Sequence, residues 1–286
     1  MFVSAPAKIN LALHVTGQRN DGFHLLESLV CFCECGDKIS IKRALATTDI
    51  TLKIDGPFGA GLTSAPDNLV IKASKLFLSK AGVKSGLDIS LEKNLPIASG
   101  IGGGSADAAA TLLALAKMFD ANGDINLHEL ATSLGSDVAM CLVSRPLIAK
   151  GVGDEITLVD DFKPLHLLLI NPNIPVSTPH IFKHLTNKNN SALAPLNETI
   201  QNTKWIEWLK AQRNDLQLPA IAAEPNISLV LEAIESTKPE LSRMSGSGAT
   251  CFGIYKDAIE CENAYKAIIA NHPKWWCVAT KSTSRT

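Results

Sequence analysis

The sequence predicts an α+β fold. Two observations carry this reading: strand-like and helix-like patterns are mixed along the chain, and the turn signals between neighbouring strands suit antiparallel pairing. Both argue against the regular alternation of a doubly wound α/β sheet. Size is a third observation. The 286 residues, 46% of them apolar, suffice for one large domain or two ordinary ones with sizeable cores.

Residues 4–15 alternate, with Ile9, Leu11, Leu13 and Val15 on one side and Lys8, Asn10, Ala12 and His14 on the other. A lysine and an asparagine therefore share a strand face whose reverse is core. Asn20-Asp21-Gly22 signals a turn, and Phe23-His24 leads into a strand-like run at 26–32. Gly36-Asp37 predicts a further turn before a strand at 38–42. Asp67-Asn68 can cap a helix with the apolar face Leu69, Ala73, Leu76 and Phe77, stopped at Gly82. Leu87, Ile89 and Leu91 form a strand that feeds a glycine-rich loop, and an Ala/Leu-rich helix follows from Ala106 to about Phe119. Asn126 with Glu129 resembles a capping box opening a short helix to Leu134, which Gly135-Ser136-Asp137 breaks before the apolar stretch 138–143.

A second region begins near residue 160. It holds a buried-strand run at 165–170, a proline-punctuated loop at 171–179 and a short helix containing Phe182. The polar stretch 186–200 is expected to be the least ordered part of the chain. Helical patterns recur at 203–212 and 227–236, two strand-like runs flank Ser245-Gly246-Ser247-Gly248, a helix starts near Asp257, and a final strand covers 276–280.

A net charge of −1 argues against a nucleic-acid or anionic-membrane surface. No apolar run approaches the roughly 20 residues that span a bilayer, and strand-like sequence from Phe2 leaves no room for a signal peptide. A cytoplasmic location is expected. Seven cysteines without an export signal do not suggest a disulfide framework. Cys31, Cys33 and Cys35 alternate on a strand, about 6.6 Å apart, a poor start for tetrahedral thiolate ligation, so they read as small hydrophobes and not as a metal site.

Function is most legible in Pro96-Ile-Ala-Ser99-Gly100-Ile101-Gly102-Gly103-Gly104-Ser105-Ala106-Asp107. Glycines let backbone N–H groups converge on an anion, and the helix N-terminus behind them adds positive partial charge, so a phosphate group is the natural guest. The P-loop pattern fails because no lysine lies between Gly100 and Ser105, and a dinucleotide fingerprint would put Ser105 in its third glycine slot. The loop instead resembles the P-x-x-x-G-[LI]-G-G-G-S signature of the GHMP kinase superfamily. Within that superfamily, the string Ala5-Pro-Ala-Lys8-Ile-Asn10 through Gly22-Phe23-His24 to Ser28, Leu134-Gly-Ser-Asp137 and Arg243-Met-Ser-Gly-Ser-Gly-Ala249 resemble the 4-diphosphocytidyl-2-C-methyl-D-erythritol kinase family. The resemblance covers most of the chain, with 186–240 matched weakly.

The resemblance implies ATP and Mg²⁺ as cofactors and transfer of phosphate to the 2-hydroxyl of a cytidine-diphosphate-linked methylerythritol. It implies an N-terminal ribosomal-S5-like domain over 1–155 and a C-terminal ferredoxin-like domain over 156–286, with the catalytic site in a cleft between them. Its catalytic pair falls on Lys8 and Asp137: a carboxylate that accepts the hydroxyl proton, kept ionised by an ammonium. A structural ion pair is the plainer alternative. Pro96, Ser99, Gly100, Ile101, Gly102, Gly103, Gly104, Ser105 and Ala106 would hold ATP, Ser105 would lie beside Mg²⁺, and Asn68 would lie near the adenine. Helix capping is the alternative role for Ser105. The cytosine ring would sit between Phe23 and Phe182 with His24 on its edge, and Asn10 and Thr178 near the rest of the acceptor. The family often carries tyrosine where Phe23 stands, which removes a hydroxyl and keeps the stacking face. Asp107 reads as a residue serving the helix dipole, outside the site. Other GHMP kinases, acting on homoserine, mevalonate or a sugar, and an inactive nucleotide sensor are the alternatives. Small molecules are the expected partners of a monomer or homodimer.

Overall fold

A computed structural model describes residues 1–121, 123, 125–196 and 204–283. The chain forms two compact units: Met1–Ala7, Gly36–Ile97 and Gly102–Ser144 make the first, and Lys8–Cys35, Ala98–Ile101 and Arg145–Thr286 the second. Two long strands, β1 (Phe2–Gln18) and β2 (His24–Ala44), pair with each other and supply residues to both units.

In the first unit, β3 (Ile50–Asp55) lies parallel to β4 (Gly86–Glu92), and β4 lies antiparallel to the end of β2, with Ile41 opposite Ile89. Helices α1 (Leu69–Lys80), α2 (Gly103–Met118), α3 (Leu127–Leu134) and α4 (Ser136–Val143) pack on one another. Small side chains let α2 bury nearly its whole circumference, Ala106, Ala108, Ala109, Ala110 and Ala114 included. Asn68 caps α1 by accepting from Val70 N, and Asn126 caps α3 by accepting from Glu129 N.

In the second unit, the start of β2 pairs with β5 (Leu147–Gly151), and β5 with β6 (Glu155–Leu158). A separate antiparallel sheet runs in the order β10 (Trp276–Lys281), β7 (His166–Asn171), β9 (Cys251–Tyr255), β8 (Leu241–Met244). Helices α5 (Thr178–His184), α6 (Trp205–Lys210), α7 (Gln217–Ala223), α8 (Asn226–Ser236) and α9 (Ala258–Asn271) complete it. Leu168, Ile170, Ile181, Val230, Ile234 and Ile268 belong to its core. Among the described residues no helix is long and apolar enough to cross a membrane.

The mixed architecture agrees with the expected α+β class, and several local expectations are corrected. Gly36-Asp37 is not a turn, for β2 runs straight through it. Gly36 is required by close approach, since a Cβ there would stand 2.3 Å from the Ala5 carbonyl oxygen. Helix α2 starts at Gly103, three residues before Ala106, and the apolar stretch 138–143 is helical. The expectation of disorder for 186–200 fails for its described part. Asn190 N donates to Val15 O, Leu193 N to Glu27 Oε2 and Ala194 N to Gln212 Oε1, fastening this segment as a strap. Its remainder, 197–200, and the expected helix start at Thr203 lie outside the described residues. Cys31 and Cys33 are fully buried. The Cys33 thiol is pushed well above its ordinary range, first by its hydrogen bond with Cys31 and then by burial.

Candidate functional site

The glycine-rich loop begins where β4 ends, and its backbone turns left-handed at Ala98 (φ 48°), Gly100 (φ 75°) and Gly102 (φ 66°). Gly102 is the N-cap of α2 and brings no side chain to it. The first intrahelical bond runs from Ala106 N to Gly102 O, so the N–H groups of Gly103, Gly104 and Ser105 have no partner within the helix. Gly104 is exposed, and a Cβ on it would meet only Leu69 Cδ1, at 3.8 Å. Ser105 is the third helical residue and not the cap. An uncapped helix start of small residues is a fit seat for the oxygens of a triphosphate.

Residues 98–101 belong to the second unit, where backbone bonds fix them. Val176 N donates to Ala98 O, Thr250 N to Ser99 O and Lys8 N to Ile101 O. Ser245 is the hub: its Oγ donates to Gly100 O at 3.0 Å and accepts from Asn10 N at 3.1 Å. The Ser245-Gly-Ser-Gly248 turn presses so closely on Gly100 that a Cβ there would lie 2.4 Å from Ser245 O. Pro96, Ser99, Ile101 and Ala106 are buried. Asn68 spends its side chain locally, accepting from Val70 N and donating to Thr63 O.

A buried charge cluster lies in the first unit under Gly103. Lys93 Nζ donates to Asp37 Oδ2 and to Asp107 Oδ2 (2.7 Å), and all three side chains are almost fully buried. Asp37 Oδ1 also accepts from the backbone N–H of Asn94 (2.6 Å) and Leu95 (2.8 Å). Burial pushes Asp107 up to about 7 against the pull of Lys93. Asp107 is therefore part of an ion cluster, where the sequence assigned it to the helix dipole alone. A Cβ on Gly103 would stand 3.0 Å from Lys93 Nζ, so that position faces the cluster.

In the second unit Lys8 and Asn10 are 4% and 3% exposed, so the polar face of β1 is as buried as its apolar one. Asn10 Nδ2 donates to Ser28 Oγ at 2.8 Å, while Asn10 Oδ1 is buried with no hydrogen-bond partner. Asp137 belongs to the first unit, half-buried in the first turn of α4 behind Gly135. His24 stacks on Phe182 with ring centroids 4.7 Å apart and planes at 25°, and its Nε2 is buried and unpartnered. Burial lowers the His24 pKa, and the Lys188 ammonium lowers it further. The Thr178 and Ser247 hydroxyls lie 2.6 Å apart. Phe23 is 64% exposed, beyond the turn where Asp21 accepts its N–H.

Sequence reasoning missed Asp37 and Lys93, whose partners are remote in the chain, and gave Arg243 no role of its own. The buried Arg243 guanidinium donates to Leu11 O (2.7 Å), Gln212 O (2.7 Å) and Leu209 O (3.1 Å), steadying β1 beside Asn10. Burial brings it down to about 10.

Comparison with known proteins shows the family of the chain. The family model described as GHMP kinases N terminal domain matches residues 68–145, and GHMP kinases C terminal matches 196–274. A protein of Rhizobium meliloti (strain 1021) named 4-diphosphocytidyl-2-C-methyl-D-erythritol kinase is 46% identical, over 99% of this chain and 95% of its own length. The crystal structure of a 4-(cytidine 5'-diphospho)-2C-methyl-D-erythritol kinase is 30% identical with a TM-score of 0.81, over 99% of this chain and 100% of that one. A homoserine kinase from Cytophaga hutchinsonii, 15% identical with a TM-score of 0.74 over 99% of this chain and 94% of its own, shares the fold.

Proposed function

The chain belongs to the 4-diphosphocytidyl-2-C-methyl-D-erythritol kinase family of GHMP kinases, and we propose that it carries out phosphoryl transfer with Lys8 and Asp137 as its central pair. It is an ATP-dependent kinase that phosphorylates the 2-hydroxyl of 4-diphosphocytidyl-2-C-methyl-D-erythritol, in the methylerythritol phosphate route to isoprenoids.

In this reading the N–H groups of Gly103, Gly104 and Ser105 hold the ATP phosphates, and the turn at 98–101 shapes the approach. Ser105 would hold Mg²⁺ together with those phosphates, and the bound cation would supply charge neutralisation for the transferred group. A sugar-alcohol hydroxyl is a weak nucleophile at neutral pH. Asp137 orients it and takes its proton as transfer proceeds, and the Lys8 ammonium helps to hold that carboxylate in place. Orientation comes first, because the transferring group is only loosely bonded at the transition state. Asn10 Oδ1, buried without a donor, offers an acceptor to an acceptor-substrate hydroxyl. Residues 1–155 supply the loop and the pair, and residues 156–286 supply Thr178 and Phe182.

The observation that carries the acceptor assignment is the stacked His24–Phe182 pair with its buried, unpartnered Nε2. A flat base with a hydrogen-bonding edge suits such a surface, and Phe23 at the neighbouring turn provides a second face. Stacking on platforms of this kind is worth about 1–3 kcal/mol per base, or roughly 5- to 150-fold. His24→Ala and Phe182→Ala should each raise KM for the cytidylyl acceptor within that range and leave KM for ATP within about threefold. Equal effects on both substrates would remove the cytidine from this position.

A further inference from the structure

We propose that Lys93 is a positioning residue for the phosphate loop, holding the loop's entry and exit at once through Asp37 and Asp107. The proposal rests on the reading of that loop as the ATP phosphate site.

The loop's own sequence leaves its geometry poorly determined. Helix α2 begins behind Gly102 with no side-chain cap, and its first two residues are glycines, which have many backbone states to lose on ordering. A phosphate seat made of N–H groups binds tightly only if those groups are already aimed. The order comes from beneath the loop. On the entry side, Asp37 Oδ1 grips two successive N–H groups, Asn94 and Leu95, immediately before Pro96. On the exit side, Asp107 lies on α2 four residues after Gly103 and accepts from Lys93 Nζ at 2.7 Å. The same ammonium donates to Asp37, so one cation joins the strand that enters the loop to the helix that leaves it. It also lies directly under Gly103, where a Cβ would meet it at 3.0 Å. The cluster's side chains are nearly inaccessible to solvent, so its geometry has little freedom to relax. Neither Lys93 nor Asp37 is part of the loop, and Asp107 Oδ2 is taken by Lys93. Their role is exercised through Gly103, Gly104 and Ser105.

A cluster that served only stability would be replaceable by apolar side chains of similar volume, since such exchanges of buried ion pairs are often neutral or stabilising. The double variant Lys93→Met/Asp107→Leu makes this exchange and leaves Asp37 on its two backbone donors. Because Asp37 keeps its buried charge without the Lys93 cation, the variant's melting temperature is expected to fall by about 5–15 °C, and binding is read well below that midpoint. Its dissociation constant for Mg²⁺-ATP, read by titration calorimetry, is expected to rise at least about tenfold, with KM for the acceptor unchanged. Asp107→Asn keeps an oxygen facing Lys93 Nζ and is expected to bind ATP within about threefold of the parent. A folded double variant with parental ATP affinity would overturn the positioning role. Gly104→Val separates this from failure of the premise, because Gly104 is exposed and its substitution burdens only the phosphate seat. If Gly104→Val abolishes ATP binding while the double variant does not, the loop is the ATP site and the clamp is wrong. If neither affects ATP, the loop assignment itself falls.

Discussion

Replacing Gly100 with alanine separates backbone strain from packing at the middle of the glycine-rich loop. With φ at 75°, any L side chain there pays about 1–2 kcal/mol for the left-handed conformation. The new Cβ would also stand 2.4 Å from Ser245 O, 2.8 Å from Gly248 N and 3.0 Å from Gly248 O. These are backbone atoms of a closed turn, since Gly248 N already donates to Ser245 O, so no side chain can swing aside. Moving the turn by about 1 Å is an overpacking change, typically 1–3 kcal/mol. The sum is about 2–5 kcal/mol, and at about 2 °C per kcal/mol for a chain of this size the midpoint should fall by about 4–10 °C. Gly82→Ala is the control, because φ is 64° there and a Cβ meets nothing within 4 Å. It should cost the conformational part alone, about 2–4 °C. Calorimetric or circular-dichroism melts of both variants decide. Because Ser245 Oγ also holds Asn10 N, Gly100→Ala should lower kcat as well, while Gly82→Ala should not. Equal melting shifts for the two variants would refute the claim that the 245–248 turn is rigidly seated on Gly100.

Two further predictions concern chemistry and pH. Asp137→Asn keeps shape and loses the proton acceptor, so kcat should fall at least about 10²-fold with ATP affinity little changed; Lys8→Ala should do comparable harm, and the double variant should be far less impaired than the product of the singles. The His14 ring carries its proton on Nδ1, donating to Ser191 O, while Nε2 accepts from Arg213 N, so the strap is fastened to a neutral imidazole. Burial first, then the Arg213 charge, lowers its pKa below 6.5; the unfolded chain therefore binds the extra proton first, and stability is full above pH 6.5 and lost as pH falls below it. Hydrogen exchange of 188–194 should accelerate over that interval in the parent and not in His14→Gln, and equal acceleration in both would remove His14 as the cause.

The parts of the molecule legible in the sequence are those governed by near neighbours. Asn68, Asn126 and Asp257 cap helices because their side chains reach backbone donors two or three residues ahead. The alternation of β1 and the glycines before α2 are equally local. Long-range partners were invisible. Asp37 meets Lys93 across 56 residues and His14 meets Ser191 across 177, so Asp37 read as part of a turn and a polar segment read as the least ordered part of the chain. Gly36-Asp37 carries the composition of a turn, yet the glycine answers a crossing strand and the aspartate a buried ammonium. Of the candidate site, the loop and the His24–Phe182 pair were recoverable from motif order. Lys93 beneath the loop and Arg243 behind β1 act through partners remote in the chain, which no local pattern reveals.

Incubation with Mg²⁺-ATP and 4-diphosphocytidyl-2-C-methyl-D-erythritol, followed by phosphorus NMR and mass spectrometry of the product, tests the central claim most directly. One ADP should form for each new phosphomonoester, with the phosphate on the 2-hydroxyl and no transfer to homoserine or mevalonate under the same conditions. Absence of transfer to this acceptor by the folded, ATP-binding protein, or preferred transfer to one of the other alcohols, would contradict the account.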